Sequence, residues 1–308
     1  MKTVAIVVLN WQQPELSIDT IESLKKIKHS GFSYHIFLVD NGSKDDCVKV
    51  LKQKYDKDKQ VTLILLPTNL GFAAGNNFGI KTALKKKLDY ILLINNDVLV
   101  DPNFLQELLK PFPKNPKLGA SSPKIYFAPG FEFHKDRYSK SEIGKVIWSA
   151  GGKVDWNNVY ANNVGLDEVD RGQYNTPRYD LEFTSNCCIL VKSEIIKKTG
   201  LMSEDYFMYC EDGDFCQQIK QHGYQIGYQP TSIIWHLNSG SSQAGGGPFH
   251  DYFLTRNRLI FASKYASLRT NFALFRESLR LLLFKGTPWQ KRGVIDFYLG
   301  KRGKGSWQ

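Results

Sequence analysis

Residues 4–11 read VAIVVLNW and residues 90–97 read YILLINND, and these two stretches decide the predicted fold. Each is an apolar run that ends in polar side chains, without the alternation typical of a strand that has one face in water. Strands that are apolar on both faces belong to parallel sheets with helices on both sides. The sequence therefore predicts an α/β fold with a mostly parallel central sheet.

Strand and helix patterns alternate between and around these two stretches. Apolar strands are predicted at 35–39 and 61–66, and apolar residues recur at helical spacing in 14–29, 45–58 and 72–87. Repeated strand–helix units of this kind build a parallel sheet that helices cover on both faces. The first half of the chain is therefore predicted to form the main part of the sheet.

The second half of the chain has a different pattern. Residues 119–173 are rich in glycine, asparagine and aromatic residues, and Gly151-Gly152 separates two predicted hairpin strands at 145–150 and 153–160. Other segments are predicted as strands at 179–191, 224–228 and 232–236, as helices at 193–198, 211–222, 252–265 and 272–284, and as a glycine- and serine-rich loop at 239–248. No internal repeat is found.

Composition narrows the class of protein. The 308 residues are 42% hydrophobic and 23% charged, which is ordinary for a globular protein and excludes a disordered or collagen-like chain. Five cysteines without a C-x-x-C pair predict reduced thiols rather than a disulfide framework or a zinc knuckle. No apolar run approaches the ~20 residues that a membrane span requires, and the N terminus lacks a signal-peptide pattern. We expect a cytosol-facing protein without a transmembrane segment.

The positive charge is concentrated near the end of the chain. The net charge is +11, and ten of these charges lie between Phe253 and the C terminus, so the rest of the chain is nearly neutral and does not resemble a nucleic-acid-binding protein. An apolar stripe at helical spacing runs through the basic segment: Phe272, Phe275, Leu279 and Leu282. We expect this segment to lie on an anionic membrane surface. The alternative is a helix that packs onto the rest of the chain, with its bases in water.

Polar side chains follow three of the predicted strands at the point where each strand ends. The groups are Asn10-Trp11, Asp40-Asn41-Gly42-Ser43 and Asn95-Asn96-Asp97. Ligands of open parallel sheets bind outside the carboxyl ends of the strands, so these groups indicate a ligand rich in hydroxyls, amides or phosphates. Asp97 is a candidate oxygen ligand for a divalent cation that bridges two phosphates, and a helix cap is its alternative role. Neither a G-x-G-x-x-G motif nor a P-loop is present.

Acidic residues are dense at one predicted helix start. Glu211, Asp212 and Asp214 fall within four residues, directly after an aromatic stretch. Such acids stabilise the positive end of a helix, but like charges this close also raise a carboxyl pKa. A carboxylate with a raised pKa is suited to act as a general base. His236 ends a predicted strand before the glycine-rich loop, which makes it a candidate metal ligand.

Three glycines recur every four residues in the third predicted helix, namely Gly71, Gly75 and Gly79. Glycine permits both close packing of a helix on its neighbours and close approach of the backbone to a ligand. The sequence leaves both explanations open.

Taken together, these groups resemble the family 2 glycosyltransferases with a GT-A fold, especially the bacterial polysaccharide branch that contains rhamnosyltransferases. The matching stretches are VVLNW (7–11), VDNGS (39–43), NLGFAAGNNFG (69–79), LLINND (92–97), WSAGG (148–152), FMYCEDGDFCQQIKQHG (207–223), WHLNSGSS (235–242) and RNRLIF (256–261). The resemblance covers nearly the whole chain, and its strength lies in the order and spacing of these stretches.

The resemblance implies a role for each candidate residue. Nucleotide-sugar binding falls to Asn10, Asp40, Asn69, Gly71, Asn77 and Asn96, with Arg256 and Arg258 as cations near the diphosphate. Asn95-Asn96-Asp97 takes the place of the family's D-x-D motif, so Asp97 with His236 would hold Mn²⁺ or Mg²⁺. Asp212 is implied as the catalytic base, with Glu211 as second choice and Asp214 structural. Trp148, Gly151 and Gly152 are implied on the acceptor side.

The implied organisation is a GT-A catalytic domain at 1–250 and a basic helical extension at 251–308. Within the domain, 1–118 would bind the nucleotide and 119–250 the acceptor. The implied reaction moves a sugar with inversion from a dTDP-rhamnose-like or UDP-hexose donor to a glycan or lipid-linked hydroxyl, on the inner face of the cell membrane. A sugar nucleotidyltransferase and a non-catalytic membrane-bound scaffold are the alternatives. The first strand leads into Asn10-Trp11-Gln12-Gln13 rather than a glycine- and arginine-rich loop, which disfavours the nucleotidyltransferase.

Overall fold

A nine-stranded sheet lies at the centre of the computed structural model, which describes residues 1–134, 136–238 and 246–307. The strands are β1 (Lys2–Asn10), β2 (Phe32–Asp40), β3 (Val61–Leu65), β4 (Tyr90–Asn95), β5 (Val98–Val100), β6 (Leu118–Phe127), β7 (Ile147–Ser149), β8 (Gly152–Asp155), β9 (Tyr160–Asn163), β10 (Cys188–Lys192) and β11 (Gln225–His236). The helices are α1 (Pro14–Leu24), α2 (Asp45–Tyr55), α3 (Phe72–Lys85), α4 (Phe104–Leu109), α5 (Ser193–Thr199), α6 (Glu211–Gln221), α7 (Pro248–Tyr265), α8 (Leu268–Arg280) and α9 (Pro288–Tyr298). A π-helical segment, Leu281–Lys285, continues α8. Residues 239–245 of the predicted loop lie outside the described residues.

The sheet is parallel in its first half and mixed in its second. The strand order is β3-β2-β1-β4-β10-β6-β11-β5, with β7 paired to β6. The strands β1 to β4 are parallel, as their apolar runs predict. Strand β10 then runs antiparallel between β4 and β6, and β5 pairs antiparallel with β11 at the far edge. The predicted α/β class is therefore confirmed.

The sheet is buried on both faces, which accounts for the apolar runs. Val4 and Ile6 of β1 pack in one core cluster, and Val7 packs in the cluster on the opposite face. Gly75 and Gly79 of α3 lie against the same strand, and a Cβ added at Gly79 would stand 2.4 Å from Val7 Cγ1. Close packing of α3 on β1 therefore accounts for these two glycines.

Three predicted strand assignments in the second half differ from the structure. The predicted strand 179–191 is shorter in the structure, where it begins at Cys188 and ends at Lys192, because the preceding residues form a loop that buries Leu181 and Phe183. The predicted hairpin around Gly151-Gly152 is instead two pairings, since β7 joins β6 and β8 joins β9. The segments predicted as two strands at 224–228 and 232–236 form one strand, β11, with an irregular register between Gln229 and Ile233.

The basic segment is partly built into the body of the protein. Helix α7 contributes Ile260 and Phe261 to the same core cluster as β1, so the predicted boundary at 250/251 falls within a helix that belongs to the core. The predicted boundary at 118/119 falls at the start of β6. Helix α9 packs on α7, where Gly293 lies close to the backbone of Tyr252.

Helix α8 presents its apolar stripe to solvent. The residues that α8 buries share the opposite face: Thr270, Leu274 and Ser278. Phe272 is 63% exposed and Leu279 is 42% exposed. Leu282 differs from the prediction because it packs against the core, while Leu283 is 67% exposed, since the wider π-helical turn changes which residues follow the stripe. Among the described residues, no helix combines the length and the apolar character needed to cross a membrane.

Candidate active site

A cavity of 470 Å³ opens at the carboxyl ends of β1 and β4. Its wall also includes the loop before β10, the end of β11 and the first turn of α6. Of the residues predicted from the sequence, the cavity brings together Asn69, Gly71, Asn96, Asp97, Trp148, Glu211, Asp212 and His236. Residues that are up to 167 positions apart in the sequence therefore share one space.

Asp97 and His236 lie side by side in the wall of this cavity. Strand β5 follows Asp97 and pairs with β11, which places His236 opposite Val98. His236 Nε2 lies 3.1 Å from Asp97 Oδ1, and each residue is 7% exposed. Trp148 packs edge-on against the imidazole, with ring centroids 4.6 Å apart. Within the described ranges, His236 Nδ1 has no hydrogen-bond partner.

The atoms of this pair fit a divalent cation. A carboxylate oxygen and an imidazole nitrogen are ligands of first-row divalent metals such as Mn²⁺. Two ligand atoms in adjacent positions of an octahedral ion, each about 2.1 Å from it, are about 3 Å apart, close to the 3.1 Å observed here. The described residues contain no group of three or more His, Cys, Asp and Glu side chains that could hold a metal. A cation here would therefore take further ligands from amides, water or a bound anion such as a diphosphate.

Two carboxylates at the start of α6 form another part of the wall. Glu211 is 6% exposed, and its Oε2 atom has no hydrogen-bond partner in the part of the chain that the structure describes. Asp212 Oδ1 accepts a 2.8 Å hydrogen bond from the Gly213 amide. Burial raises the pKa of both carboxyl groups, and the neighbouring charge of Asp212 adds to the rise at Glu211. A raised pKa moves a carboxylate toward the range in which a general base is most effective at neutral pH.

Asp214 does not belong to the cavity wall. It is fully buried, and its Oδ2 atom accepts hydrogen bonds of 2.8 Å from the Tyr206 hydroxyl and 2.9 Å from Lys264 Nζ. These contacts tie α6 to α7. They agree with the structural role predicted for this residue.

The turn that leads into α6 is unusual. Tyr209 and Cys210 have φ angles of 70° and 72°, although neither is glycine. Consecutive left-handed residues of this kind cost free energy and persist only when their surroundings hold them. The side chain of Asn257 supplies part of that hold, because its Nδ2 donates to the carbonyls of Met208 and Tyr209 at 2.7 and 3.0 Å. Asn257 is fully buried on α7.

We therefore predict that Asn257→Ala lowers the turnover number about tenfold with little effect on donor KM. Loss of a buried hydrogen-bond partner costs about 1–3 kcal/mol, and here the cost falls on the turn that positions Glu211 and Asp212. Asn271→Ala is the matched control, because Asn271 Nδ2 also donates to backbone carbonyls, at the junction of α7 and α8. Thermal unfolding and steady-state kinetics of both variants check the prediction. Equal activity of the two variants at a temperature where both are folded would contradict it.

Asn10 and Asp40 are buried and do not line the cavity. Both are fully buried, and Asn10 Nδ2 donates to Asp40 Oδ2 at 2.7 Å. Asn10 Oδ1 accepts from the Ser17 hydroxyl, and Asp40 Oδ1 accepts from the Ser43 amide. The amide and carboxylate are thus occupied within the protein. The structure differs here from the predicted direct contact with a nucleoside.

The loop before α3 reaches the cavity through Asn69 and Gly71. Asn41 holds this loop, since its Nδ2 donates to Asn69 Oδ1 and to the Gly71 carbonyl at 3.0 and 3.1 Å. Gly71 has a φ of 86°, and a Cβ at this position would stand 2.5 Å from the carbonyl oxygen of Phe207. The Phe72 amide donates to the same carbonyl at 2.8 Å. Only glycine fits where the loop meets the segment that leads to α6.

Three other predicted residues do not line the cavity. Asn77 is buried in α3, and its Nδ2 donates to the Met202 carbonyl at 2.9 Å. Gly151 and Gly152 pack against the loop before β10, where a Cβ at Gly152 would stand 2.3 Å from Phe183 Cδ1. Their close packing explains why they are glycines. None of the three residues lines the cavity, so the structure does not place them where a substrate in the cavity would contact them.

The two predicted arginines also lie elsewhere. Arg256 is fully buried, and its guanidinium donates to the Gly303 carbonyl at 2.6 Å and to the Tyr252 hydroxyl at 3.2 Å. Arg258 donates to the Asn158 carbonyl at 2.7 Å and pairs with Glu277 at 2.9 Å. Arg256 thus anchors the end of the chain to α7, and Arg258 joins the turn between β8 and β9 to α8. Neither arginine lines the cavity.

Sequence reasoning missed Asn41, Asn186 and Asn257 as individual site residues. Asn41 and Asn186 line the cavity, and Asn257 braces the turn before α6. Asn41 follows a predicted strand, Asn186 lies in the predicted strand 179–191, and Asn257 lies in the matching stretch RNRLIF. A single asparagine in such a stretch has no spacing pattern that predicts its role. Whether an asparagine lines a cavity or braces a turn depends on the residues that it contacts in the folded chain.

The mixed central sheet with helices on both faces has the GT-A fold. Solved structures with the same fold include GalNAc-T7 with UDP, GalNAc and Mn²⁺, with a TM-score of 0.68 and 15% identity over 98% of this chain and 54% of that one. A mannosyltransferase from Pyrobaculum calidifontis in complex with GDP-Man and Mn²⁺ has a TM-score of 0.55 and 12% identity over 96% of this chain and 74% of that one. At these identities the likeness establishes the fold.

The chain belongs to glycosyl transferase family 2, whose sequence profile matches residues 3–198. A similar protein is the N-acetylglucosaminyl-diphospho-decaprenol L-rhamnosyltransferase of Mycobacterium tuberculosis, 25% identical over 67% of each chain. The poly-beta-1,6-N-acetyl-D-glucosamine synthase of Staphylococcus epidermidis is 24% identical over 74% of this chain and 48% of its own. The chain thus spans about half the length of that synthase. It is a glycosyltransferase, as the sequence predicted.

Proposed function

We propose that this glycosyltransferase is metal-dependent and inverting, and that it moves a sugar from a nucleoside-diphosphate donor to a hydroxyl group. One observation carries the proposal. The same cavity contains a carboxylate–imidazole pair suited to a cation and, on α6, two carboxylates with a raised pKa. A bound cation stabilises a leaving diphosphate, and a carboxylate with a raised pKa can remove a proton from an acceptor. We thus propose that the group for the diphosphate and the group for the acceptor proton lie in the same cavity of 470 Å³.

The relatives guide the choice of donor and acceptor. We propose a dTDP-rhamnose-like donor, with UDP-hexoses as the second choice, because one similar protein is named a rhamnosyltransferase and another a poly-N-acetylglucosamine synthase. The first of these names also contains a lipid-linked sugar, N-acetylglucosaminyl-diphospho-decaprenol. A glycan or lipid-linked glycan of cell-surface polysaccharide synthesis is therefore the proposed acceptor. Trp148, whose ring lines the cavity beside His236, remains the proposed acceptor-side residue.

The proposed reaction is a single displacement at the anomeric carbon. Asp212 takes the proton of the acceptor hydroxyl, the hydroxyl oxygen bonds to the anomeric carbon, and the bond to the diphosphate oxygen breaks with its electron pair. Asp97 and His236 would hold Mn²⁺ or Mg²⁺, which when bound stabilises negative charge on the diphosphate. Asn69, Gly71 and Asn96 are the predicted nucleotide-sugar residues that line the same space. Glu211 is a second carboxylate next to the proposed base, and it lines the same cavity.

A donor screen tests the proposal. We expect the protein with Mn²⁺ to release a nucleoside diphosphate from one of dTDP-rhamnose, UDP-GlcNAc, UDP-GalNAc or GDP-mannose, slowly with water and faster with a lipid-linked glycan. A sugar nucleotidyltransferase would instead form a nucleotide sugar from a sugar phosphate and a nucleoside triphosphate. Absence of turnover with every donor, together with absence of binding by dTDP, UDP and GDP, would contradict the proposal and favour the scaffold.

We also propose that the exposed stripe of α8 and the turns after it rest on an anionic membrane surface. Exposed apolar side chains support this: Leu268 (89%), Phe272 (63%), Leu283 (67%), Phe284 (78%) and Leu299 (67%). Arg269, Arg276 and Arg280 stand on the same helix, and its acid, Glu277, is paired with Arg258. Apolar side chains flanked by bases are typical of helices that lie in the membrane interface. Such bases contribute about 1 kcal/mol each near an anionic surface.

We predict that the double variant Phe272→Glu with Leu283→Glu lowers vesicle binding at least about tenfold, because it removes two apolar side chains and adds two repulsive charges. The measurement is co-sedimentation of the full chain with vesicles of phosphatidylcholine and phosphatidylglycerol. Phe131→Glu is the matched control, since Phe131 is 42% exposed outside this surface. Unchanged binding of the double variant, or no binding by the unaltered protein, would contradict the proposal.

A further inference from the structure

The loop before β10 places one asparagine beside the segment that follows β4. Cys188 of β10 pairs with Ile94 of β4 in antiparallel register, and the Asn95 amide donates to the Cys187 carbonyl at 2.9 Å. Asn186, one residue earlier, therefore lies level with Asn96 and belongs to the cavity wall. Asp97 and the first turn of α6 line the same cavity.

Asn186 is buried without satisfying its side-chain amide. It is 2% exposed, and neither Nδ2 nor Oδ1 has a hydrogen-bond partner among the residues that the structure describes. A buried polar group without a partner destabilises the folded protein, so such groups are rare in folded proteins. An asparagine that donates and accepts nothing does not stabilise the fold. Both polar atoms are covered by neighbouring groups in this structure. Because Asn186 belongs to the cavity wall, a ligand in the cavity could supply the missing partners once those neighbouring groups shift.

The other buried asparagines near the cavity make the contrast clear. The side chains of Asn10, Asn77 and Asn257 all donate to atoms of the protein at distances of 2.7–2.9 Å. Each of these joins two segments of the chain, which is the usual role of a buried amide. The side-chain amide of Asn186, by contrast, has no such bond to any residue within 1–134, 136–238 and 246–307.

The donor and acceptor atoms of the Asn186 side chain limit the class of ligand that it can bind. Nδ2 only donates and Oδ1 only accepts, so a partner that satisfies both must both accept and donate. Phosphate oxygens at neutral pH accept and would leave Oδ1 without a donor. Sugar hydroxyls do both, and two neighbouring hydroxyls on a ring match the two ends of an amide.

We propose that Asn186 binds hydroxyl groups of the transferred sugar and so helps to determine which sugar the enzyme accepts. This inference rests on the proposed function, because it assumes a nucleotide-sugar donor. It assigns to the loop before β10 the recognition of the sugar ring, while Asn69 and Gly71 lie in the wall formed by the loop before α3. A donor that lacks the contacted hydroxyls would be discriminated against because the buried amide would again be left unpaired.

The test uses Asn186→Leu, which keeps the approximate size of the side chain and removes both polar atoms. Two neutral hydrogen bonds correspond to an affinity loss of about 10–100-fold. We expect this loss for the nucleotide sugar that the donor screen identifies, whereas affinity for the matching nucleoside diphosphate should change by no more than about twofold. Calorimetric titration with Mn²⁺ measures both. The loss should be smaller for the deoxy form of the donor that lacks a contacted hydroxyl.

Thermal unfolding separates recognition from a structural role. Asn186→Leu removes an unsatisfied buried amide, so its melting temperature should equal or exceed that of the unaltered protein. Asn77→Leu is the control, because it breaks satisfied hydrogen bonds and should lower the melting temperature. Equal loss of sugar and diphosphate affinity, unchanged affinity for both, or a melting temperature lowered as far as in Asn77→Leu would overturn the proposal. If the unaltered protein binds no nucleoside diphosphate or nucleotide sugar at all, the proposed function itself fails, and this inference with it.

Discussion

Asp212→Asn is expected to lower the turnover number about 10²–10⁴-fold, the range that general bases contribute. The amide keeps the shape of the side chain and can still accept from the Gly213 amide, as Asp212 Oδ1 does at 2.8 Å. It cannot take a proton from the acceptor. Donor KM and the melting temperature should therefore change little. Steady-state kinetics with the donor found by the screen measure the effect, and a loss of less than about tenfold would show that Asp212 is not the base.

The pH dependence of the same two proteins gives a second reading. Burial raises the pKa of Asp212 above the usual value for an aspartate, so the carboxyl is protonated and inactive at pH values where an exposed aspartate is already charged. The turnover number should rise with pH through this raised pKa. In Asp212→Asn that limb of the profile should disappear.

Glu211→Gln is the matched comparison for Asp212→Asn. Both carboxyls have a raised pKa, and both line the cavity. If Asp212 is the base, Glu211→Gln should cost less activity and should retain the rising limb of the pH profile. If instead Glu211→Gln causes the larger loss and removes the limb, the base is Glu211, which was the second choice from the sequence.

Removal of the cation is expected to have an effect of similar size. Asp97→Ala takes away the charged ligand of the pair, and chelation by EDTA takes away the metal itself. Because a bound metal contributes several kcal/mol to the stabilisation of transition-state charge, we expect a loss of about 10²-fold or more in turnover. Activity of the unaltered protein should return when Mn²⁺ is added after EDTA.

Mn²⁺ binding measured by electron paramagnetic resonance checks the site independently of activity. We expect UDP or dTDP to increase Mn²⁺ binding by the unaltered protein, and Asp97→Ala and His236→Ala to weaken it. Asp101→Asn is the control, because Asp101 lies beyond β5 and bonds to Asn103 outside the cavity. Full activity after exhaustive chelation, or equal Mn²⁺ binding by all four proteins, would exclude the proposed metal site.

The parallel half of the fold could be predicted because its physical signal is local. Residues such as Val4, Ile6 and Val7 are apolar because both faces of their strand are covered, and short apolar runs that alternate with amphipathic helices are typical of a parallel sheet. The second half could not be predicted as well. Leu181 and Phe183 are buried in a loop, and burial alone does not distinguish a strand from a loop that packs on the core.

The site residues were predicted where a residue type, a position at a strand end or a helix start, and a resemblance agreed. Asp97, His236, Glu211 and Asp212 satisfy this and converge on one cavity. The predicted position of Arg256 near the diphosphate differs from the structure. No pattern in the sequence around Arg256 reveals that its guanidinium donates to the carbonyl of Gly303, 47 residues later. An arginine near a predicted site appears the same in sequence whether a ligand or the protein satisfies it.

Polar residues that brace the site are hidden for the same reason. Asn10 and Asp40 bond to each other and to Ser17 and Ser43, so the protein itself occupies polar atoms that were predicted to contact a nucleoside. Asn186 was passed over because an unsatisfied amide is visible only once every surrounding atom is placed. Sequence patterns locate the chemistry of this site, and three-dimensional contacts separate its ligands from its supports.

A single displacement assisted by a protein base inverts the anomeric carbon, so the configuration of the sugar first released is a direct test of the proposed reaction. Proton NMR can follow hydrolysis of the donor in the presence of Mn²⁺ and resolve the two anomers before they interconvert in water. We expect the first sugar to appear to have the anomeric configuration opposite to that of the donor, and we expect Asp212→Asn to suppress its formation. Release with the donor's own configuration, or an equal mixture from the earliest time, would contradict it.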